Sequence, residues 1–134
     1  MTSTPPKKRV LFVCVENSNR SQMAEAFARI HGGDRIEAHS AGSAPSGRIN
    51  PKAIQYMAEL GYDLSTHASK SLDEIDGAFD AVITMGCGDN CPWVPAQLRE
   101  DWALPDPKHL DGDAYRVVRD EISTRVRALL ASLQ

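Results

Sequence analysis

The sequence predicts a single α/β domain: a parallel sheet flanked by helices. Three observations carry this reading. Short apolar, β-branched runs alternate with segments of helical periodicity, the pattern of strands joined by crossover helices. The 134 residues suit one compact domain with its own core. No internal repeat and no long linker divides the chain.

The first run, RVLFVC (9–14), fits a buried parallel strand. A polar stretch follows, and Met23, Phe27 and Ile30 then recur at helical spacing until Gly32 and Gly33. Residues 36–41 form a second strand candidate, closed by Gly42. Asn50-Pro51 is a helix start, with Asn as cap and Pro in the first turn. Ile54, Met57 and Ala58 give that helix an inner face, and Gly61 stops it. Residues 72–75 suit a short helical turn, and AVITM (81–85) a third strand. Residues 86–95, with Gly, Asp, Asn and two prolines, read as a loop, and 98–104 as a fourth, edge strand. From Asp113 onward Tyr115, Val118, Ile122, Val126, Leu129 and Leu133 step by three and four, a long amphipathic helix. The order is β-α-β-α-β-β-α, which calls for a parallel sheet with helices on both faces.

Bulk properties narrow the function. Apolar residues make up 42% and charged residues 25%, an ordinary soluble balance. The net charge of -3 offers no broad basic surface for nucleic acid. No apolar run of about 18 residues exists, so no membrane span is expected. The first nine residues lack the apolar stretch of a signal peptide. Residues 1–8 read as a disordered tail before a domain at 9–134. The three cysteines, Cys14, Cys87 and Cys91, are an odd count in a chain without an export signal. That argues for a cytoplasmic protein with chemical or buried thiols, not a disulfide scaffold.

The segment VCVENSNRS (13–21) is the most informative. Cys14 ends a strand and Arg20 opens a helix, with five residues between them. Such a loop aims successive backbone N–H groups of Val15, Glu16, Asn17, Ser18 and Asn19 at one spot, and the helix terminus adds positive potential. Arg20 can grip two oxygens of a tetrahedral oxyanion with its planar fork. The same field favours a thiolate at Cys14, to which Ser21 can donate a hydrogen bond. The alternative is a buried strand-end cysteine beside an exposed arginine. A Walker-type nucleotide loop is absent.

Asp106 stands between Pro105 and Pro107, which restrain its backbone. Beside an anion cup it can serve as a general acid; alone it reads as a turn residue. Cys87 and Cys91 follow the third strand. In a parallel sheet the carboxyl ends of strands gather at one edge, so Cys14 and Cys87 can be neighbours. Three residues separate Cys87 from Cys91, which permits a disulfide after local adjustment. Zinc binding and inert burial are the alternatives; His67 and His109 have no tight spacing to the pair, so no metal is expected.

Taken together, VLFVCVENSNRSQMAEAF (10–27), HSAG (39–42), NPKAI (50–54), 84–92, 102–107 and VVRDEI (117–122) resemble the thioredoxin-coupled arsenate reductases. Those enzymes share the fold of the low-molecular-weight protein tyrosine phosphatases. The resemblance implies a four-stranded parallel sheet, Cys14 as nucleophile, Arg20 as oxyanion clamp and Asp106 as acid. It implies a relay in which Cys87 attacks the Cys14–arsenic adduct, releasing arsenite, and Cys91 then attacks Cys87. The resulting disulfide goes to an external thiol protein, thioredoxin, with no bound cofactor. Asn17, Glu25 and Ser40 match positions that help hold a potassium ion in relatives, and Lys70 stands where some carry Asp. From this we expect Lys70 to replace the ion. Other departures are Val15-Glu16 and Asn19, where relatives often have Thr-Gly and a second Cys, and the short spacing of Cys87 and Cys91. The competing readings are a phosphotyrosine phosphatase, for which no aromatic rim is evident, and an oxyanion or arsenite sensor.

Overall fold

A computed structural model describes residues 7–85 and 96–133. Strand β1 (Lys8–Cys14) leads into α1 (Arg20–Gly32), then β2 (Ile36–Gly42), α2 (Pro51–Ala58), β3 (Phe79–Thr84), β4 (Ala96–Asp101) and α3 (Gly112–Ser132). The strands form one all-parallel sheet in the order β2-β1-β3-β4. Cys14 is in register with Gly42, Val13 with Thr84, and Thr84 with Asp101, so the strand ends share one edge. The chain leaves β1 for β2 on one side and later returns to pair β3 on the other. Cys14 therefore ends the strand where the order reverses, the usual ligand crevice of an open α/β sheet.

The pleat divides the core in two. Val10, Phe12 and Cys14 face a large cluster built with all three α-helices. Leu11 and Val13 face a smaller cluster with Ala41, Phe79 and Val82, against which Leu72 and Ile75 pack. The expected cover on both faces is thus uneven. The helices share one face, and among the described residues the short 3-10 turn Leu72–Glu74 and its neighbours cover the other.

Several element expectations need correction. Strand β4 begins two residues earlier than expected and ends at Asp101, level with the end of β3. Trp102 and Leu104 owe their apolar character to core burial instead; Trp102 packs on Phe12 with ring centroids 6.0 Å apart. Strand β3 starts at Phe79, and Met85 lies just beyond it, buried. In α2 the inner face is Ala53, Tyr56 and Met57; Ile54 is half-buried and Ala58 exposed. In α1, Ile30 is 44% exposed: the continuous buried run Ser21 to Ala28 ends before it, and Gly32 is the one buried residue beyond. Strand β1 takes in Lys8, the last residue assigned to the tail. The expectations for residues 1–6 and for the loop 86–95 fall outside the described residues.

Candidate active site

Residues 15–19 leave β1 and turn directly into α1. The backbone carbonyls of Val15, Glu16 and Ser18 accept hydrogen bonds from the N–H groups of Ala44, Ser46 and Asn50 at 2.9–3.0 Å. The carbonyl of Asn17 accepts from Gln22 Nε2 at 3.0 Å. In a trans peptide the next residue's N–H points opposite to the C=O. The N–H groups of Glu16, Asn17, Ser18 and Asn19 therefore face away from these partners. Asn17 adopts a left-handed backbone (φ 51°), the kind of kink that gathers N–H groups into an anion-binding nest. The loop also needs Gly42 beside it, since a Cβ there would run into the carbonyl oxygens of Val15 and Cys14.

A cleft of about 460 Å³ opens over this loop, lined by Cys14, Val15, Glu16, Ser18, Asn19, Arg20, Leu104 and Asp106. Cys14 is buried, with its Sγ 2.8 Å from Ser21 Oγ. Asn17 Nδ2 donates to the same hydroxyl oxygen at 2.9 Å. Arg20 is the first residue of α1, and its side chain, 12% exposed, reaches across the cleft. It donates to Leu104 O at 2.8 Å and lies 3.9 Å from Asp106 Oδ2. Asp106 is half-exposed; its Oδ1 accepts the Lys108 N–H at 3.0 Å, capping the turn Pro107–His109. That cap and the neighbouring prolines hold the carboxylate in place. On the rim, Lys108 Nζ sits 3.4 Å from Glu16 Oε2, so the acid near the anion cup is paired.

Behind the loop lies a second group of residues. Glu25, its side chain 3% exposed, accepts from Ser40 Oγ at 2.7 Å and lies 3.1 Å from Arg29 Nη2, 3.3 Å from His67 Nδ1 and 3.4 Å from Lys70 Nζ. The main chain of Lys70 ties this group to the loop. Its N–H donates to Asn17 Oδ1 at 2.7 Å, and its carbonyl accepts from Gly42 N at 2.8 Å. Asn17, Glu25, Ser40 and Lys70 are thus brought together. The donor set does not fit a potassium ion: the one carboxylate already faces an ammonium and a guanidinium, and a further cation would meet like charges.

Cys14, Arg20 and Asp106 line one cleft, with Ser21 against the Cys14 sulfur. Cys87 and Cys91 lie outside the described residues. His67, considered above only as a metal ligand, sits instead with its side chain 5% exposed between Gln22, Glu25 and Tyr62. Burial, only partly opposed by the Glu25 charge, lowers its pKa below the ordinary 6.5. Sequence reasoning missed Gln22, Lys108 and the hydroxyl of Tyr115. The spacing places Tyr115 only in the core; it is fully buried, and its OH donates to Asn19 Oδ1 at 2.7 Å. A glutamine among the buried residues of α1 was the one available signal.

A parallel sheet with a cysteine–arginine loop at its switch point and an acid on a facing loop is the architecture of a phosphatase-like enzyme. The chain matches the model of the low molecular weight phosphotyrosine protein phosphatase family over residues 9–134, and it belongs to that family. Within it, the chain is 41% identical over 130 residues to the glutaredoxin arsenate reductase of Synechocystis sp., covering 94% of this chain and 98% of the relative. A solved structure of an arsenate reductase in the phosphate binding state superposes with a TM-score of 0.87 at 40% identity, over 95% of this chain and 99% of that one. A Corynebacterium glutamicum thioredoxin-dependent arsenate reductase superposes with a TM-score of 0.80 at 38% identity, over 98% of this chain and 64% of that one.

Proposed function

We propose that this protein reduces arsenate to arsenite. The observation that carries the reading is the placement of Cys14 Sγ in a cleft lined by Arg20 and Asp106, above a loop whose carbonyls are turned outward. Backbone N–H groups within Val15–Ser21 and the Arg20 fork hold the tetrahedral oxyanion. The Cys14 thiolate attacks arsenic while Asp106 protonates the departing oxygen as water, giving a covalent Cys14–arsenic(V) adduct. Cys87 then attacks the Cys14 sulfur. The S–As bond breaks with its electron pair going to arsenic, which leaves as arsenite, and a Cys14–Cys87 disulfide forms. Cys91 attacks Cys87, freeing Cys14 and leaving a Cys87–Cys91 disulfide for an external dithiol. The cycle binds no cofactor and needs a reducing compartment, in keeping with a cytoplasmic enzyme. Asn17, Glu25, Ser40 and Lys70 support the loop from behind, with Lys70 in place of a metal ion.

Thioredoxin is our choice of reductant, and the Corynebacterium neighbour supports it. The name of the Synechocystis relative favours glutaredoxin as a second reading. Phosphomonoester hydrolysis would be a side activity, since it needs only Cys14, Arg20 and Asp106. No aromatic side chain lines the cleft among the described residues, so a phosphotyrosine ring finds no stacking surface among them. The test is arsenite production with arsenate and either thioredoxin or glutaredoxin with its reductase, followed by mass mapping of disulfides after one turnover without reductant. A Cys87–Cys91 disulfide and thioredoxin-dependent turnover are expected. Hydrolysis of aryl phosphates with no arsenite formed would replace the reading with that of a phosphatase.

A further inference from the structure

We infer that Tyr62 and His67 are positioning residues for the Cys14 thiolate, acting through a hydrogen-bond chain whose protons all point toward the sulfur. The inference rests on Cys14 being the nucleophile, and not on which oxyanion it attacks.

Five contacts make the chain: Tyr62 OH to His67 Nε2 at 2.6 Å, His67 Nδ1 to Gln22 Oε1 at 3.0 Å, Gln22 Nε2 to Asn17 Oδ1 at 2.9 Å, Asn17 Nδ2 to Ser21 Oγ at 2.9 Å, and Ser21 Oγ to Cys14 Sγ at 2.8 Å. Their direction follows from the partners. His67 Nδ1 faces two acceptors, Gln22 Oε1 and Glu25 Oε2, so it carries the proton. A neutral ring then accepts at Nε2, and burial favours the neutral ring. Tyr62 must therefore donate, and burial holds it in the phenol form. The Gln22 amide is oriented by three acceptors that all require its NH2: one proton goes to Ala68 O, and the other is shared between the main-chain oxygen and Oδ1 of Asn17. Lys70 N fixes Asn17 Oδ1 as an acceptor, so Asn17 Nδ2 gives its proton to Ser21. The single Ser21 proton is left for the thiolate, which can only accept.

Bonds aligned in one direction polarise one another, each strengthening the next by about 10–30% in a medium of low dielectric. Gln22, Asn17 and Ser21 are all buried. The outer end of the chain therefore bears on the charge at its inner end. The same bonds hold Asn17 in its left-handed conformation and so set the nest. The charged or titratable groups around Cys14 are Glu16, Arg20 and Asp106. Those around His67 are Glu25, Arg29, Lys70 and Tyr62, and the three charged groups Glu25, Arg29 and Lys70 stay in place when only the Tyr62 hydroxyl is removed.

The test uses Cys87→Ser/Cys91→Ser protein, in which Cys14 is the sole thiol, and follows its alkylation by iodoacetamide against pH. Adding Tyr62→Phe should move the midpoint to higher pH and slow alkylation about two- to threefold below the midpoint, with the alkaline plateau unchanged. His67→Ala should move it further, and His67→Asn, which keeps a donor toward Gln22, should recover part of the shift. A Tyr62→Phe profile superimposed on its parent overturns the inference. So does a lowered Tm with an unmoved midpoint, which would mark the pair as structural. Because the readout involves no arsenate, it stands or falls separately from the proposed reaction.

Discussion

The Arg20 guanidinium donates to the main-chain oxygen of Leu104 at 2.8 Å, tying the start of α1 to the loop that carries Asp106. The guanidinium is thereby held 3.9 Å from Asp106 Oδ2 in one cleft, by residues far apart in sequence. Arg20→Lys keeps the charge but loses the fork that can serve Leu104 and an anion together. We expect kcat/KM for arsenate to fall by about 100-fold, on the order of 2–3 kcal/mol of lost charged hydrogen bonds. Steady-state kinetics would check this; near-native kinetics would show that charge alone suffices.

Cys14→Ser should abolish both arsenite production and any hydrolysis of aryl phosphates, because no other thiol lines the cleft among the described residues. Cys87→Ser and Cys91→Ser should each lose reductase turnover yet keep weak phosphomonoesterase activity. Parallel assays of the three variants separate the steps. Phosphatase loss in the pair as severe as in Cys14→Ser would give those cysteines a structural role.

Lys70 Nζ occupies the neighbourhood of Glu25 with Ser40 and Arg29. Activity and thermal stability should therefore be the same in sodium and potassium salts at matched ionic strength. Lys70→Asp should become potassium-stimulated. Strong potassium stimulation of the unaltered protein would refute the substitution of ammonium for ion.

Tyr115→Phe leaves the buried Asn19 Oδ1 without its donor. The expected cost is about 1–3 kcal/mol of stability, together with a reduced kcat/KM, since Asn19 lines the cleft beside Cys14 and Arg20. Urea unfolding and kinetics on the same preparation test both effects. An unchanged midpoint would mean that water replaces the hydroxyl.

His67 and His31 both have pKa values lowered from 6.5 mainly by burial. The folded state binds fewer protons than the unfolded chain in this range. Their contribution is thus present above about pH 6.5 and is lost as pH falls through the lower folded values. Glu59, held down to about 2 by hydrogen bonds from Arg116 and Arg119, adds stability above its ordinary 4.5 that fades toward pH 2. Thermal unfolding from pH 8 to pH 3 should show Tm falling first below pH 6.5. His67→Asn should remove part of that first fall.

The elements most legible in the sequence were those whose signals are contiguous. Asn50-Pro51 announces α2, and Asn50 Oδ1 does accept the Lys52 N–H at 2.9 Å. The spacing of Tyr115, Val118, Ile122, Val126 and Leu129 announces α3, and all five are buried. The fourth strand is less legible, because Trp102 and Leu104 are apolar for a reason outside the strand: they lie beyond its end at Asp101 and are buried in the core. Cys14, Arg20 and Asp106 stand out in the sequence because loop, helix start and paired prolines restrict the backbone locally, and the three line one cleft.

The sequence by itself determined the alternation of strands and helices, the loop between Cys14 and Arg20, and the restrained Asp106, because each depends on neighbours within a turn or a strand. Only the tertiary structure decided what stands behind and across that loop. The bonds from His67 to Gln22 and from Tyr115 to Asn19 span 45 and 96 residues. A polar side chain shows no periodicity that would name its partner. Its pairing is settled when the core closes and water is no longer available to satisfy it.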